Sequence, residues 1–188
     1  MTLDSTEPLA EAFATARGIL ARARSEQLGE PTPCRSWDVR ALVNHMVGAP
    51  RFAASRVSGG AGAPEVDFAA GDFVAAHDET ARMTLEAFSA PGALEKPIEL
   101  PFGSRPAAFL MFFVASDQVA HAWDLARAVG ASTDIAPRLS AELLDEATEM
   151  VTEEMRGEDG KAAFGPERPA PAGASAADRL AAFFGRSV

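Results

Sequence analysis

The sequence has no tyrosine, two tryptophans, a single cysteine, Cys34, and three histidines. One thiol cannot close an internal disulfide, so the core rather than a cross-link must hold the fold. Without tyrosine, the 12 phenylalanines leave aromatic burial to rings that carry no polar handle. Positive charge is also scarce: 17 Lys and Arg stand against 27 Asp and Glu, a formal charge of −10. Such a surface repels duplex nucleic acid and anionic bilayers, so neither is an expected partner. The apolar stretches fall far short of a bilayer span, and no positive segment followed by an apolar run opens the chain. A soluble cytoplasmic protein is therefore expected. The glycine-rich stretch Ser58 to Pro64 lacks the Lys-Ser/Thr ending of a phosphate loop, which sets nucleotide binding aside.

What is present is globular in composition: 188 residues, 47% hydrophobic and 23% charged, enough for one domain with a sizeable core. Leu9, Phe13, Ala16, Leu20 and Ala23 recur at helical steps and predict a first helix over Glu7 to Gln27. Gly29, Pro31 and Pro33 would end it, and Ser36 would cap a second helix from Trp37 to about Val57, kinked or interrupted by Pro50 near Gly48. A third helix from Asp72 carries Phe73, Ala76, Thr80, Met83 and Ala87 on one face and stops at Pro91 and Gly92. Lys96 to Phe102 has some strand character but is flanked by proline, which suits a small hairpin or an irregular crossover equally. A fourth helix from about Ser104 to Val129 is apolar nearly all round, through Phe109, Phe112, Phe113, Val119, Ala120 and Trp123, and reads as central. A fifth, from Pro137 to about Met155, is amphipathic with a solvated acidic face, and Gly157 to Gly173 is a Pro/Gly-rich loop. Ser175 then caps a last short helix closed by Gly185. The sum is an all-α chain.

Chemistry concentrates on the histidines. Asp117 and His121 are four residues apart, which stacks them on one helical face, close enough to grip one cation; Asp124 falls on the same face and could orient the His121 ring or complete the shell. Taken alone, an Asp and a His at this spacing are usually a simple charge pair. Their setting in an apolar helix raises the stakes, because burying both calls for pairing or metal. His45 lies mid-way along the second helix among aliphatic neighbours, the usual setting of a core histidine, yet that helix can face the fourth across a bundle interior. Two imidazoles and one carboxylate would make three ligands with open positions, as in catalytic zinc and non-haem iron sites. His77 has no carboxylate four residues away on its face and reads as a core or boundary residue. Arg40 and Asn44 read as surface, and Cys34 as an inert thiol.

Three stretches carry a family resemblance. Pro31 to His45, with Thr32, Pro33, Cys34, Trp37, Asp38, Val39, Arg40 and Leu42, resembles the opening motif of the DinB-like proteins related to mycothiol-dependent maleylpyruvate isomerase. Asp117 to Ala128, with His121, Trp123, Asp124, Leu125 and Ala126, resembles their second motif, and Ala177 to Arg186 resembles the ending of the superfamily's small metal-binding subgroup. The resemblance implies an up-down-down-up four-helix bundle with extra C-terminal helices: one domain over residues 1–188, a core bundle over about 5–130 and a helical extension over about 135–188. It implies a divalent cation, Zn2+ first with Ni2+ or Fe2+ as alternatives, held by His45, Asp117 and His121. The isomerase is thought to have Glu where this chain has Asp117, as the small subgroup commonly does; it also carries a larger C-terminal domain, so the metal site carries over more directly than the isomerisation. The expected function is a metal- and mycothiol-type thiol-dependent transferase or isomerase acting on a small electrophilic substrate. The alternative is a non-catalytic metal- or small-ligand-binding protein of the stress response. A Phe-rich bundle of this size could also pair with itself as a homodimer.

Overall fold

The computed structural model describes residues 5–100, 103–158 and 161–188. Among them are six α-helices and one two-stranded hairpin: α1 (Glu7–Leu20), α2 (Val39–Val57), α3 (Phe73–Ser89), β1 (Pro97–Leu100), β2 (Gly103–Pro106), α4 (Ala107–Val129), α5 (Pro137–Met150) and α6 (Ala176–Phe183). The protein is mostly helical, as composition and periodicity predict. α1 packs on α4 and α3, α2 packs on α3 and α4, and α5 packs on α6, which also reaches α4. No described helix is long and apolar enough to cross a membrane.

α4 is the central element. From Gln118 to Ala126 every residue is buried, including His121 and Asp124. It starts at Ala107 rather than near Ser104, because Gly103 to Pro106 is taken up by β2, which pairs antiparallel with β1 from Pro97↔Pro106 to Leu100↔Gly103. The expected strand stretch is thus a hairpin; its Pro101 and Phe102 lie outside the described residues. Gly130 ends α4 in the left-handed region at φ 73°, where a Cβ would be strained.

Several boundaries differ from the sequence expectation for local reasons. α1 stops at Leu20, because Arg22 and Ala23 bond back to Ile19 and Leu20 in a tight turn and Arg24 is extended. α2 begins at Val39 and is capped by Asp38, whose carboxylate accepts from the Ala41 amide at 2.8 Å; Ser36 is not the cap. α5 ends at Met150, where Val151 turns extended. On α3 the buried stripe is His77, Thr80, Thr84 and Phe88, rotated from the predicted face, and Met83 is exposed. The stripe follows α3's contacts with α1 and α2; it keeps Thr80 of the expected face and has Thr84 and Phe88 buried in place of Met83 and Ala87.

Pro50 was expected to kink or interrupt α2, yet the helix passes it without a break. Proline has no N–H, so the carbonyl of Met46 one turn earlier loses its helical donor. The Gln118 side chain of α4 supplies the donor instead, with Nε2 3.0 Å from the Met46 oxygen. Its Oε1 then accepts from His77 Nε2 at 2.9 Å. One amide therefore ties α2, α3 and α4 together one residue after Asp117. It also fixes His77 as a buried neutral imidazole, packed edge-on against Phe13 at 5.5 Å, with its Nδ1 unpaired.

Replacing Gln118 with Leu strands a buried carbonyl and a buried ring nitrogen together, and the expected loss of stability is about 2–4 kcal/mol. In a Pro50→Ala background the new amide can serve the Met46 carbonyl, so the same substitution loses about 1 kcal/mol less. Urea unfolding of the four proteins measures the difference.

Candidate metal centre

The loop before α2 folds on itself. Val39 and Arg40 donate to the carbonyls of Glu30 and Leu28 at 3.0 and 2.8 Å, and the Thr32 hydroxyl donates to the carbonyls of Cys34 and Trp37 at 3.0 and 2.8 Å. This closed loop sets Cys34 and Trp37 against the middle of α4.

At the other end of the chain, α6 is docked by a buried indole. Trp123 Nε1 donates at 2.8 Å to Asp178, the same carboxylate that completes the capping box with Ser175. After α6, Gly185 takes φ 96°, its N–H bonds to the Ala182 carbonyl, and the Arg186 N–H reaches back to Ala181. A Cβ on Gly185 would sit 2.6 Å from the Gly165 Cα, so glycine is needed here for both conformation and close approach. The turn delivers Arg186 to α4.

Three of the residues picked out in sequence come together. His45 Nε2 lies 3.0 and 3.1 Å from the two Asp117 oxygens. His121 Nε2 lies 3.2 Å from Asp117 Oδ1. Donor atoms about 2 Å from one tetrahedral cation are separated by roughly 3.3 Å, so the three groups have the spacing and the nitrogen-and-oxygen chemistry that a single divalent ion would accept. Asp117 remains about one-third exposed (32%) and faces a cavity of about 1050 Å3, which leaves the fourth side open. The Trp37 ring lies 4.5 Å from the His45 ring and 5.3 Å from that of His121, which restricts both imidazoles. Asp124 does what its position suggested, with Oδ2 3.0 Å from His121 Nδ1.

Three participants were not picked out from the residues alone. Arg186 contacts Asp124 Oδ1 and Oδ2 at 3.2 and 2.8 Å. The Cys34 thiol, read as inert, donates to Asp124 Oδ2 at 3.2 Å and lies 3.3 Å from Arg186, while Trp37 forms a wall. All three fall inside the stretches that carry the family resemblance, but their contacts span tens of residues and no spacing rule reveals them. Cys34, His121 and Asp124 also lie close enough together to suggest a second cation position. Arg186 already supplies the positive charge there. His77 joins neither group.

The charges depend on one another. Burial opposes the Asp117 anion, yet His45 and then His121 hold its carboxyl well below the usual carboxylate range. Burial likewise opposes a charged His121, but Asp117, with hydrogen bonds to Asp117, Asp124 and Cys34, raises it well above 6.5. Against burial, Arg186 and His121 bring Asp124 down to about 2. For His77 burial wins over the Gln118 bond, and its value falls below 6.5.

Residues 9–126 match the family described as the mycothiol maleylpyruvate isomerase N-terminal domain. Two proteins of Mycobacterium tuberculosis are 40% identical over 182 residues, covering 95% of this chain and 93% of each relative: Uncharacterized protein MT0763 of strain CDC 1551 / Oshkosh, and Uncharacterized protein Rv0738 of strain ATCC 25618 / H37Rv. No solved structure matches the chain.

With metal removed, the two buried histidines should titrate in opposite directions. His121, whose folded value is raised, stabilises the fold fully below pH 6.5, and that contribution is lost as the pH rises through its folded value. For His77, whose folded value is lowered, the unfolded chain takes the proton first, so stability falls as the pH drops below 6.5. Nitrogen-15 NMR of the rings should find His121 doubly protonated at about pH 7 and His77 singly protonated through the mildly acidic range. A His121 that titrates at or below its ordinary value would contradict the geometry.

Proposed function

The chain belongs to the mycothiol maleylpyruvate isomerase N-terminal domain family, a DinB-like family, and we propose that it is a metal- and thiol-dependent enzyme of the transferase or isomerase kind. It acts on a small electrophile, with a mycothiol-type thiol as cosubstrate. Its ligands are His45, Asp117 and His121, and zinc is the favoured ion. The observation that carries this reading is the convergence of both Nε2 atoms on the Asp117 carboxylate, at the wall of a cavity large enough for a thiol and a second small molecule. The packing of α1 to α4 on one another supports an up-down-down-up four-helix bundle as the core, with α5 and α6 as its C-terminal extension in a single domain.

A divalent cation held by His45, Asp117 and His121 would supply Lewis acidity that favours deprotonation of a thiol near neutral pH. The protein's own groups do the rest. Asp124 takes the hydrogen bond from His121 Nδ1, which leaves Nε2 free to ligate and keeps the ring from turning. Arg186 holds Asp124 in turn. Trp37 covers both imidazoles on the loop side and keeps bulk water off them, while the cavity side stays open to reactants. Cys34 is engaged with Asp124 and Arg186, so an external thiol, not a protein thiol, is the nucleophile.

In tag-free protein, His45→Ala and Asp117→Ala should each lose most of the bound metal. Asp124→Asn should retain the site with affinity reduced about 10–100-fold. Cobalt-substituted protein should change its visible spectrum when mycothiol is added, and thiol-dependent turnover should appear with a panel of epoxides, haloalkanes and cis-enoic acids. A saturated spectrum that ignores thiol, with no turnover, would replace this reading with a non-catalytic metal-binding protein.

A further inference from the structure

The cavity beside His45, Asp117 and His121 has two unlike ends, an apolar one before Asp117 along α4 and a cationic one toward Asp124, and the loop from Phe164 to Arg168 borders both. Leu110, Phe113 and Val114 line it from the N-terminal half of α4. Leu110 is two turns before Asp117, about 10 Å along the helix. α2 contributes the same character two turns beyond His45, where Phe52 lines the cavity and is 50% exposed. Phe164, from the loop after α5, approaches Phe113 with ring centroids 5.8 Å apart and roofs this apolar end.

The other end gathers cations. Arg186 sits on Asp124, seven residues beyond Asp117 in the opposite direction along α4. Arg168 donates through Nε to the Gly185 carbonyl at 2.8 Å, which puts it one residue from Arg186. Arg35 follows Cys34, whose thiol touches both Asp124 and Arg186. All three arginines line the cavity. Arg186 is neutralised by Asp124, but Arg35 and Arg168 are exposed and in no ion pair among the described residues. In a chain of formal charge −10, these two guanidinium groups, free of any carboxylate partner among the described residues, leave the cavity lining with an excess of positive charge, since Lys161 and Glu158 on the same lining pair with each other.

A further sign of a ligand lies between the two ends. Ser116 is only 1% exposed, lines the cavity beside Asp117, and its hydroxyl has no hydrogen-bond partner. In a helix such a hydroxyl ordinarily bonds to a carbonyl one turn back. Left unpaired within the wall, this buried hydroxyl is a polar group that nothing in the described chain satisfies.

Resting on the substrate-site reading above, we infer that the electrophile is an amphipathic monoanion: an apolar body along Phe52, Leu110 and Phe113, a reacting centre beside Asp117 and His121, and a carboxylate-type head at Arg35 and Arg168. A dianion with polar groups at both ends would leave the phenylalanine end unfilled and strand one charge there.

The test uses non-reactive probes and the full chain, with chelator-stripped and metal-loaded protein side by side. Calorimetric titration of stripped protein should find octanoate bound about tenfold more tightly than octanamide, and octylammonium more weakly still. Succinate should bind about tenfold more weakly than octanoate, for want of an apolar body. Changing the exposed Arg35 and Arg168 together to Gln should bring octanoate down to the level of octanamide. Phe52→Ser should weaken both by a similar factor. Octylammonium or succinate binding as well as octanoate would overturn the inference, as would indifference to the arginine pair or no binding by any probe. A carboxylate preference seen only in metal-loaded protein would also overturn it, while supporting the metal site itself. Probe binding unchanged by metal in a chain that takes up no ion would leave the inference standing and remove the proposed chemistry.

Discussion

A carboxylate cannot be buried as an anion in an apolar helix unless opposite charge or hydrogen-bond donors are brought to it, and α4 buries Asp124 beside the imidazole of His121. Asp124 is wholly enclosed, so a cation must reach it from elsewhere. The chain supplies one from its far end: Arg186, delivered by the turn after α6. His121 then shares Asp124 on one ring nitrogen and Asp117 on the other. His45 completes the set from α2. Much of the irregular structure serves this convergence: the self-closed loop around Thr32, the Trp123–Asp178 bond that docks α6, and the contact between Gly165 and Gly185. The single thiol belongs to the same arrangement, since Cys34 lies between Asp124 and Arg186.

Most of the helical layout was legible because its signals are local. Stripes of apolar residues, the Ser175 cap, Gly130 past the end of α4 and Pro91 with Gly92 after α3 each act within a turn or two. The misjudged points are those where a distant group settles a local matter. Pro50 leaves α2 unbroken because Gln118, on another helix, serves the carbonyl that proline abandons. The stripe on α3 is rotated toward Thr84 and Phe88, and the partners of its His77 and Thr80, Gln118 and Arg51, come from other helices. At the start of α2 the expected cap is Ser36, and the path of the preceding loop makes Asp38 the cap instead.

The candidate site was legible to the extent that it depends on helical spacing. Asp117, His121 and Asp124 declare themselves by steps of four and three, and His45 by its place in a helix that can face them. Arg186, Trp37 and Cys34 were visible as parts of motifs but not as partners of Asp124 and the histidines, because their contacts are set by a loop closure and a C-terminal turn. The two-ended character of the cavity was hidden for the same reason: its apolar end comes from α2, α4 and a loop after α5, and its positive end from three separate segments.

The central claim is that His45, Asp117 and His121 share one divalent ion with a vacant side. Anomalous diffraction at the metal edge from crystals of the tag-free protein tests it most directly. The account predicts one ion about 2.0–2.2 Å from both Nε2 atoms and an Asp117 oxygen, with its remaining ligand from solvent or an added thiol. Density for an ion bound instead at Cys34, or three side chains bonded only to one another in metal-replete crystals, would contradict it.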